Sequence, residues 1–236
     1  MKLLLALLLK GGLGKVLLSG GTMLLSMAVY AMSFGWPFAV GFVLLILVHE
    51  LGHYVAARQH GLAVGAPVFI PFVGAWISLK DERLAPAVEA RVALAGPMLG
   101  SIAAFACFLL GLAGYGRLYM ALAQAGFMIN LFNLIPLNPL DGGRLVGVIS
   151  PKLWFVGAPL LVLMFLWRPS PLLILIAITA APQFFAMLGG RLQDHETLPT
   201  LAEKLRFGAQ YLGLAAALAL LAFEAQAWLH GDAIFS

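Results

Sequence analysis

Charged residues are scarce in this chain. Only 10% of its 236 residues are Asp, Glu, Lys or Arg, whereas soluble domains carry about 25% charged residues. Hydrophobic residues make up 62% of the sequence, and the mean hydropathy is +0.99. Apolar runs long enough to span a bilayer recur along the chain. The composition therefore excludes an ordinary soluble domain and predicts a polytopic membrane protein.

The sequence has one cysteine, Cys107, which lies inside an apolar run. An internal disulfide is therefore excluded, and we expect Cys107 to be a small packing residue. The net charge is +4, but the basic residues are spread over short loops, so no nucleic-acid partner is expected. The sequence also contains no phosphate-binding loop and no internal repeat.

The apolar runs predict an all-α bundle of six to seven transmembrane helices. The expected spans are 16–34, 37–57, 91–113, 118–137, 153–167, 171–188 and 207–230. The run 153–167 is short for about 30 Å of hydrocarbon, so 153–188 forms either two spans or one broken element. Thr200 and Glu203 form a capping-box pattern that predicts a short helix before the last span. We expect residues 1–236 to form one membrane domain, with a catalytic core at about 37–150 and additional C-terminal spans over 153–230.

The lysines and arginines predict the orientation of these spans. With seven spans, twelve basic residues fall on the side of the N-terminus: Lys2, Lys10, Lys15, Arg58, Lys80, Arg83, Arg91, Arg144, Lys152, Arg191, Lys204 and Arg206. Only Arg117 and Arg168 fall on the other side. Since basic residues concentrate in cytoplasmic loops, the N-terminus is expected in the cytoplasm.

The stretch LVHELGHYVA, residues 47–56, places two histidines and a glutamate in one apolar span. On a helix, His49 and His53 share one face, so both imidazoles can bind one metal ion. Glu50 lies about 100° round the helix, near enough to act as a base but poorly placed as a ligand. This H-E-x-x-H pattern supplies two zinc ligands and a general base. Gly52 would let another backbone approach the metal.

A catalytic zinc ion needs a third protein ligand. The chain has only ten carboxylates, most of them in loops. Glu224 and Asp232 are expected on the far side of the membrane, and no ligand-like loop surrounds Glu89. Asp141 lies near the end of NLIPLNPLDGGR, residues 133–144, where two prolines break the fourth span at the same side and depth as the histidines. We therefore predict Asp141 as the third ligand.

Together, HELGH at 49–53 and the pattern N-x-x-P-x-x-P-x-D-G at 133–142 resemble the site-2 protease family of intramembrane zinc metalloproteases, peptidase family M50. The resemblance covers roughly residues 37–150. It implies one zinc ion per chain, held by His49, His53 and Asp141. It further implies Glu50 as the catalytic base and Asn133 as a polar group near the reacting carbonyl.

The segment LAGPM, Leu94 to Met98, is similar to the Gly-Pro element in the third span of this family. Gly100 stands where some members have an asparagine, so no chemistry is assigned to this element. Neither a PDZ domain nor a CBS domain is visible. The chain thus resembles a minimal core member, expected in a prokaryotic cell membrane with its active site open to the cytoplasm.

The segment VFIPFVGAWISLK, residues 68–80, is too short and too broken by proline and glycine to cross a bilayer. Its β-branched and aromatic residues predict a short re-entrant β-hairpin. Non-helical backbone at membrane depth is tolerated only where protein or a cavity covers it. An exposed strand edge there could accept an unwound substrate as an added strand. An interfacial loop that merely plugs the site is the alternative.

These patterns predict a zinc endopeptidase that cleaves peptide bonds within or near transmembrane segments of membrane-protein substrates in the lipid bilayer. One alternative is a catalytically silent relative that only binds membrane proteins, although binding alone does not need Glu50. A metal-gated transporter is another. Transporters tend to have paired broken helices in two repeated halves, and this sequence has only one such helix.

Overall fold

The computed structural model describes residues 12–72, 74–76, 84–189 and 199–231. The described chain contains eight α-helices: α1 (Gly12–Phe34), α2 (Trp36–Gln59), α3 (Pro86–Leu112), α4 (Arg117–Asn133), α5 (Asp141–Ile149), α6 (Trp154–Trp167), α7 (Pro171–Leu188) and α8 (Leu201–His230). A 3₁₀ turn, Pro151–Leu153, precedes α6. Strands β1 (Val68–Ile70) and β2 (Gly74–Trp76) lie between α2 and α3. Several predicted features lie outside the described residues: Lys2, Lys10, Lys80, Arg83, Arg191, Asp232 and the end of the strand segment at 77–80.

Four of the helices, α1, α2, α3 and α8, are long and apolar enough to cross a membrane by length and composition. Helices α6 and α7 are shorter apolar helices. They are separated at Arg168, which has an extended backbone, so 153–188 forms two helices and not one broken element. The structure is thus a mainly helical bundle, as the composition predicts.

The centre of the bundle is formed by α2, α3 and α4, with α8 packed against α4. Small residues allow the close approach: a Cβ at Gly126 would lie 2.7 Å from the Cβ of Ala104. Phe127 of α4 and Leu218 of α8 are fully buried in the same apolar cluster. This packing fixes the positions of the three helices around the polar residues of α2.

Helices α6 and α7 form an antiparallel hairpin. The rings of Phe155 and Phe184 lie 5.7 Å apart, edge to face. Leu161 and Ile176 pack with Ile135 in a second apolar cluster. The hairpin therefore covers the connection between α4 and α5, which carries Asp141 at its end.

Strands β1 and β2 pair antiparallel, with Phe69 opposite Ala75. Helix α1 packs against β1: Phe69 N–H donates to Thr22 Oγ1 at 3.2 Å, and Phe72 N–H donates to the Tyr30 hydroxyl at 2.9 Å. Strand β2 packs against α2. The predicted hairpin is therefore confirmed as a strand pair, with α1 beside β1 and α2 beside β2.

Helix α8 is continuous from Leu201 to His230. The predicted capping box is confirmed: Thr200 accepts from Glu203 N–H, and Glu203 accepts from Thr200 N–H. The prediction of a separate short helix was wrong, because no residue between 201 and 230 interrupts the helical hydrogen bonding.

Candidate metal centre

Three potential metal ligands meet at one point. His49 and His53 lie one turn apart on α2, and Asp141 is the first residue of α5. The two Nε2 atoms are 3.1 Å apart, and each lies 3.2 Å from Asp141 Oδ2. Among the described residues, this is the group of histidine and carboxylate side chains that could hold a metal ion. All three are the residues predicted from the sequence.

Asp141 is held in place by the close packing of its glycine neighbours. A Cβ at Gly142 or Gly143 would overlap the backbone of the preceding connection, at Leu134 and Leu137 respectively. Trp154 Nε1–H also donates to the Gly143 carbonyl at 2.9 Å. The two glycines therefore allow the connection to fold tightly against α5, which brings the carboxylate to the histidines.

The triangle of ligand atoms has the dimensions that zinc requires. With metal–ligand lengths of about 2.0–2.1 Å, the edge of a coordination tetrahedron is about 3.3–3.4 Å. The observed edges of 3.1–3.2 Å are close to this value. A tetrahedral ion bound to His49, His53 and Asp141 would keep a fourth position open, as catalytic zinc does.

The hydrogen-bonding roles of the side chains also fit a cation. His53 Nδ1 lies 2.8 Å from the Val92 carbonyl, which can only accept, so Nδ1 carries a proton, and in the neutral imidazole Nε2 keeps its lone pair for a metal ion. His49 Nδ1 lies 2.8 Å from Asn130 Oδ1, and the same reasoning leaves its Nε2 free. With both imidazoles neutral, two ring nitrogens and one carboxylate oxygen thus face one another with lone pairs. A cation bound to all three removes their mutual repulsion.

Two glycines make the room for this centre. A Cβ at Gly52 would overlap the Ala95 carbonyl of α3, and a Cβ at Gly96 would overlap the His53 imidazole. The expectation that Gly52 lets another backbone approach is confirmed. The Gly-Pro element of α3 therefore has a steric role, since its Gly96 leaves the space that the His53 ring fills.

The other predicted residues lie around the centre. Glu50 is buried on α2, in the same turn as His49. Asn133 donates from Nδ2 to Ile129 O on its own helix at 3.0 Å, and its role stays a prediction. Glu89 lies 3.6 Å from Arg144 in an ion pair between α3 and α5, consistent with its exclusion as a ligand.

Sequence reasoning missed Asn130. This side chain is 1% exposed and accepts from a ligand histidine. Its signal in the sequence is a carboxamide inside an apolar helix, where polar residues are costly and usually functional.

Comparison with known proteins gives consistent matches. The family model described as "Peptidase family M50" matches residues 37–116. A zinc metalloprotease of Methanocaldococcus jannaschii is 32% identical over 123 residues, which is 48% of this chain and 35% of that protein. The putative zinc metalloprotease Rip3 of Mycobacterium tuberculosis is 37% identical over 116 residues, covering 46% of this chain and 29% of that protein. The chain therefore spans about a third of the length of these curated relatives.

Another putative zinc metalloprotease of Methanocaldococcus jannaschii is 33% identical over 140 residues, covering 49% of this chain and 71% of that protein. A solved structure, the site-2 protease from Methanocaldococcus jannaschii, matches with 22% identity and a TM-score of 0.47, covering 75% of this chain and 90% of that one. The matched family model includes the helix that carries the two histidines. On these sequence matches, the chain belongs to peptidase family M50, the site-2 protease family of zinc metalloproteases.

Proposed function

We propose that this protein is an intramembrane zinc metalloprotease that hydrolyses peptide bonds within or near transmembrane segments of membrane-protein substrates. The observation that carries this proposal is the meeting of three potential metal-ligand atoms beside a buried glutamate. His49, His53 and Asp141 supply the ligand atoms, and Glu50 is the glutamate. Binding alone would not need a base next to the metal, so the arrangement favours catalysis.

Each side chain has a distinct role in hydrolysis. A bound zinc ion would polarise the scissile carbonyl and lower the pKa of water toward about 7. Glu50 takes the proton from the attacking water and delivers it to the leaving nitrogen as the peptide bond breaks. Asn133 uses one N–H for Ile129 O, which leaves its second N–H to donate to the reacting carbonyl.

The hairpin offers a strand edge to which a substrate segment can pair through main-chain hydrogen bonds. Phe69 N–H points away from β2, toward Thr22 of α1, so Phe69 and Ala75 form a non-hydrogen-bonded pair. The Ala75 N–H therefore also points outward, along the edge of β2 beside α2. An unwound substrate segment can add to this edge and regain main-chain hydrogen bonds there. Because α1 covers the edge of β1, β2 is the edge that we assign to the substrate.

We also propose that the protein is a multi-pass protein of a prokaryotic cell membrane, with the N-terminus and the active-site opening on the cytoplasmic side. The support is the distribution of Lys and Arg along the sequence, twelve on one side and two on the other. The catalytic core is assigned to residues 37–150, and α6 to α8 supply the additional C-terminal spans.

Metal analysis tests the ligand set. The purified protein is expected to hold about one zinc ion per chain, because three ligand atoms converge on one site. Replacing His49 or His53 with alanine, or Asp141→Asn, should remove most of this zinc, measured by elemental analysis after gel filtration. Full zinc content and full protease activity in Asp141→Asn would contradict the assignment.

A further inference from the structure

The carboxamide of Asn130 is held from both ends. Its Nδ2 donates to the Gly126 carbonyl at 2.7 Å, and its Oδ1 lies 2.8 Å from His49 Nδ1. Since the Gly126 carbonyl can only accept, the nitrogen end of the amide must face it, and the oxygen end must face His49. The orientation of the amide is thus fixed by its own helix.

That orientation sets the protonation of His49. An amide oxygen accepts but does not donate, so the imidazole must carry its proton on Nδ1. Its Nε2 then presents a lone pair toward Asp141 Oδ2, 3.2 Å away. Without this acceptor, the ring could turn or place its proton on Nε2, and either change removes a ligand from the metal centre.

The space for Asn130 is provided by α3. A Cβ at Gly100 would overlap Asn130 Oδ1 and would lie 2.9 Å from Nδ2. Asn130 is buried on α4, and His49 is buried on α2, so three helices meet at this hydrogen bond. Any side chain at position 100 would push the amide away from the imidazole.

We propose that Asn130 is a positioning residue of the metal centre, which fixes the tautomer and direction of His49 through one hydrogen bond in a slot opened by Gly100. This inference rests on the proposed zinc site. It differs from the role predicted for Asn133, whose amide is assigned to the reacting carbonyl. Loss of such an outer hydrogen bond to a metal-bound histidine costs about 10–100-fold in metal affinity.

Two substitutions at position 130 separate positioning from packing. Asn130→Leu keeps the same number and branching of side-chain heavy atoms but removes the acceptor, so zinc affinity should fall about 10–100-fold. Asn130→Asp keeps an acceptor for His49 but turns its second oxygen toward the Gly126 carbonyl, so it should lower thermal stability while retaining more zinc affinity than the leucine variant. The readouts are zinc affinity, by chelator competition on the full-length protein in detergent, and the melting temperature of the metal-free protein.

Gly100→Ala tests the same hydrogen bond with Asn130 unchanged. Its added methyl group displaces the amide, so zinc affinity should fall although alanine favours the helix more than glycine. Gly208→Ala is the matched control, since it makes the same substitution on α8, where an added Cβ meets no atom within 4 Å. Its zinc affinity should equal that of the wild type.

The outcomes distinguish this inference from the proposed function. A wild-type protein that binds no zinc would refute the metal site itself and this inference with it. With zinc bound to the wild type, unchanged affinity in Asn130→Leu or in Gly100→Ala would overturn the inference alone. The inference would also be overturned if the zinc affinity of the variants fell only in proportion to their melting temperature. If Asn130→Leu does not fold, Gly100→Ala and Asn130→Asp decide the question by the same criteria.

Discussion

The two histidines of the metal centre are held in different ways. His53 donates to a backbone carbonyl, that of Val92, which no side-chain substitution can remove. His49 donates to the side chain of Asn130. A single substitution at Asn130 can therefore remove the hydrogen bond of His49, whereas no substitution can remove that of His53. The His53 ring can still be displaced by a larger residue at Gly96, which faces it.

That glycine gives a direct test of the packing around the centre. In Gly96→Ala, the new methyl group would overlap the His53 imidazole, so we expect the ring to move and the zinc content to fall well below one per chain. The control is Gly213→Ala, because Gly213 lies on α8 with no atom within 4 Å of an added Cβ. Zinc analysis of both variants makes the comparison. Full zinc content in Gly96→Ala would mean that the space beside His53 is not needed.

The three candidate ligands could be predicted from the sequence because their signals are local or belong to a strong motif. The spacing of His49 and His53 follows from the helical repeat, and Asp141 follows from a broken helix near the same depth. The supporting contacts of Val92, Gly96 and Asn130 could not be predicted. They depend on which faces of α2, α3 and α4 meet, and a single sequence of apolar helices does not specify that.

At the scale of elements, the hairpin has one covered edge and one that packs beside α2. The covered edge is β1, whose Phe69 N–H is bound by Thr22. The register pairs Phe69 with Ala75, so the outward N–H of β2 belongs to residue 75. We therefore propose β2 as the strand that receives the substrate, whereas the sequence alone did not say which strand has the exposed edge.

A proline at position 75 tests this edge. Ala75→Pro removes the outward donor without removing a hydrogen bond between β1 and β2. We expect the variant to keep its zinc and its melting temperature while cleaving membrane substrates poorly, as measured in proteoliposomes. Ala75→Val retains the N–H and serves as the control, with cleavage expected at the wild-type rate. Normal cleavage by Ala75→Pro would show that β2 does not hold the substrate by main-chain bonds at this position.

The element boundaries show what apolar runs do and do not specify. The run near 153–188 left two spans or one broken element open, and the structure has α6 and α7 with an extended Arg168 between them. The capping box at Thr200 was predicted correctly, yet the helix that it starts continues to His230. A cap marks where a helix begins, but it carries no information about where the helix ends.

At the scale of the whole molecule, the orientation in the membrane can be measured with single cysteines. In a Cys107→Ala background, His60→Cys and Lys152→Cys are expected to react with an impermeant maleimide only from the cytoplasmic side. Tyr115→Cys, in the exposed connection between α3 and α4, should react only from the outside. The physical reason is the excess of Lys and Arg on one side of the predicted spans. Labelling of these sites from the opposite sides would show that the proposed orientation is inverted.

The central claim is that Glu50 acts as the base of a zinc protease inside the bundle. The most direct measurement compares wild type and Glu50→Gln in proteoliposomes, with zinc content and cleavage of a panel of transmembrane substrates determined on the same preparations. Because Glu50 is not a ligand, both proteins should hold about one zinc ion per chain. Only the wild type should cleave, since the variant has no group to take the proton from water. Cleavage by Glu50→Gln at a comparable rate, or no cleavage by a zinc-loaded wild type on any substrate of the panel, would contradict the account.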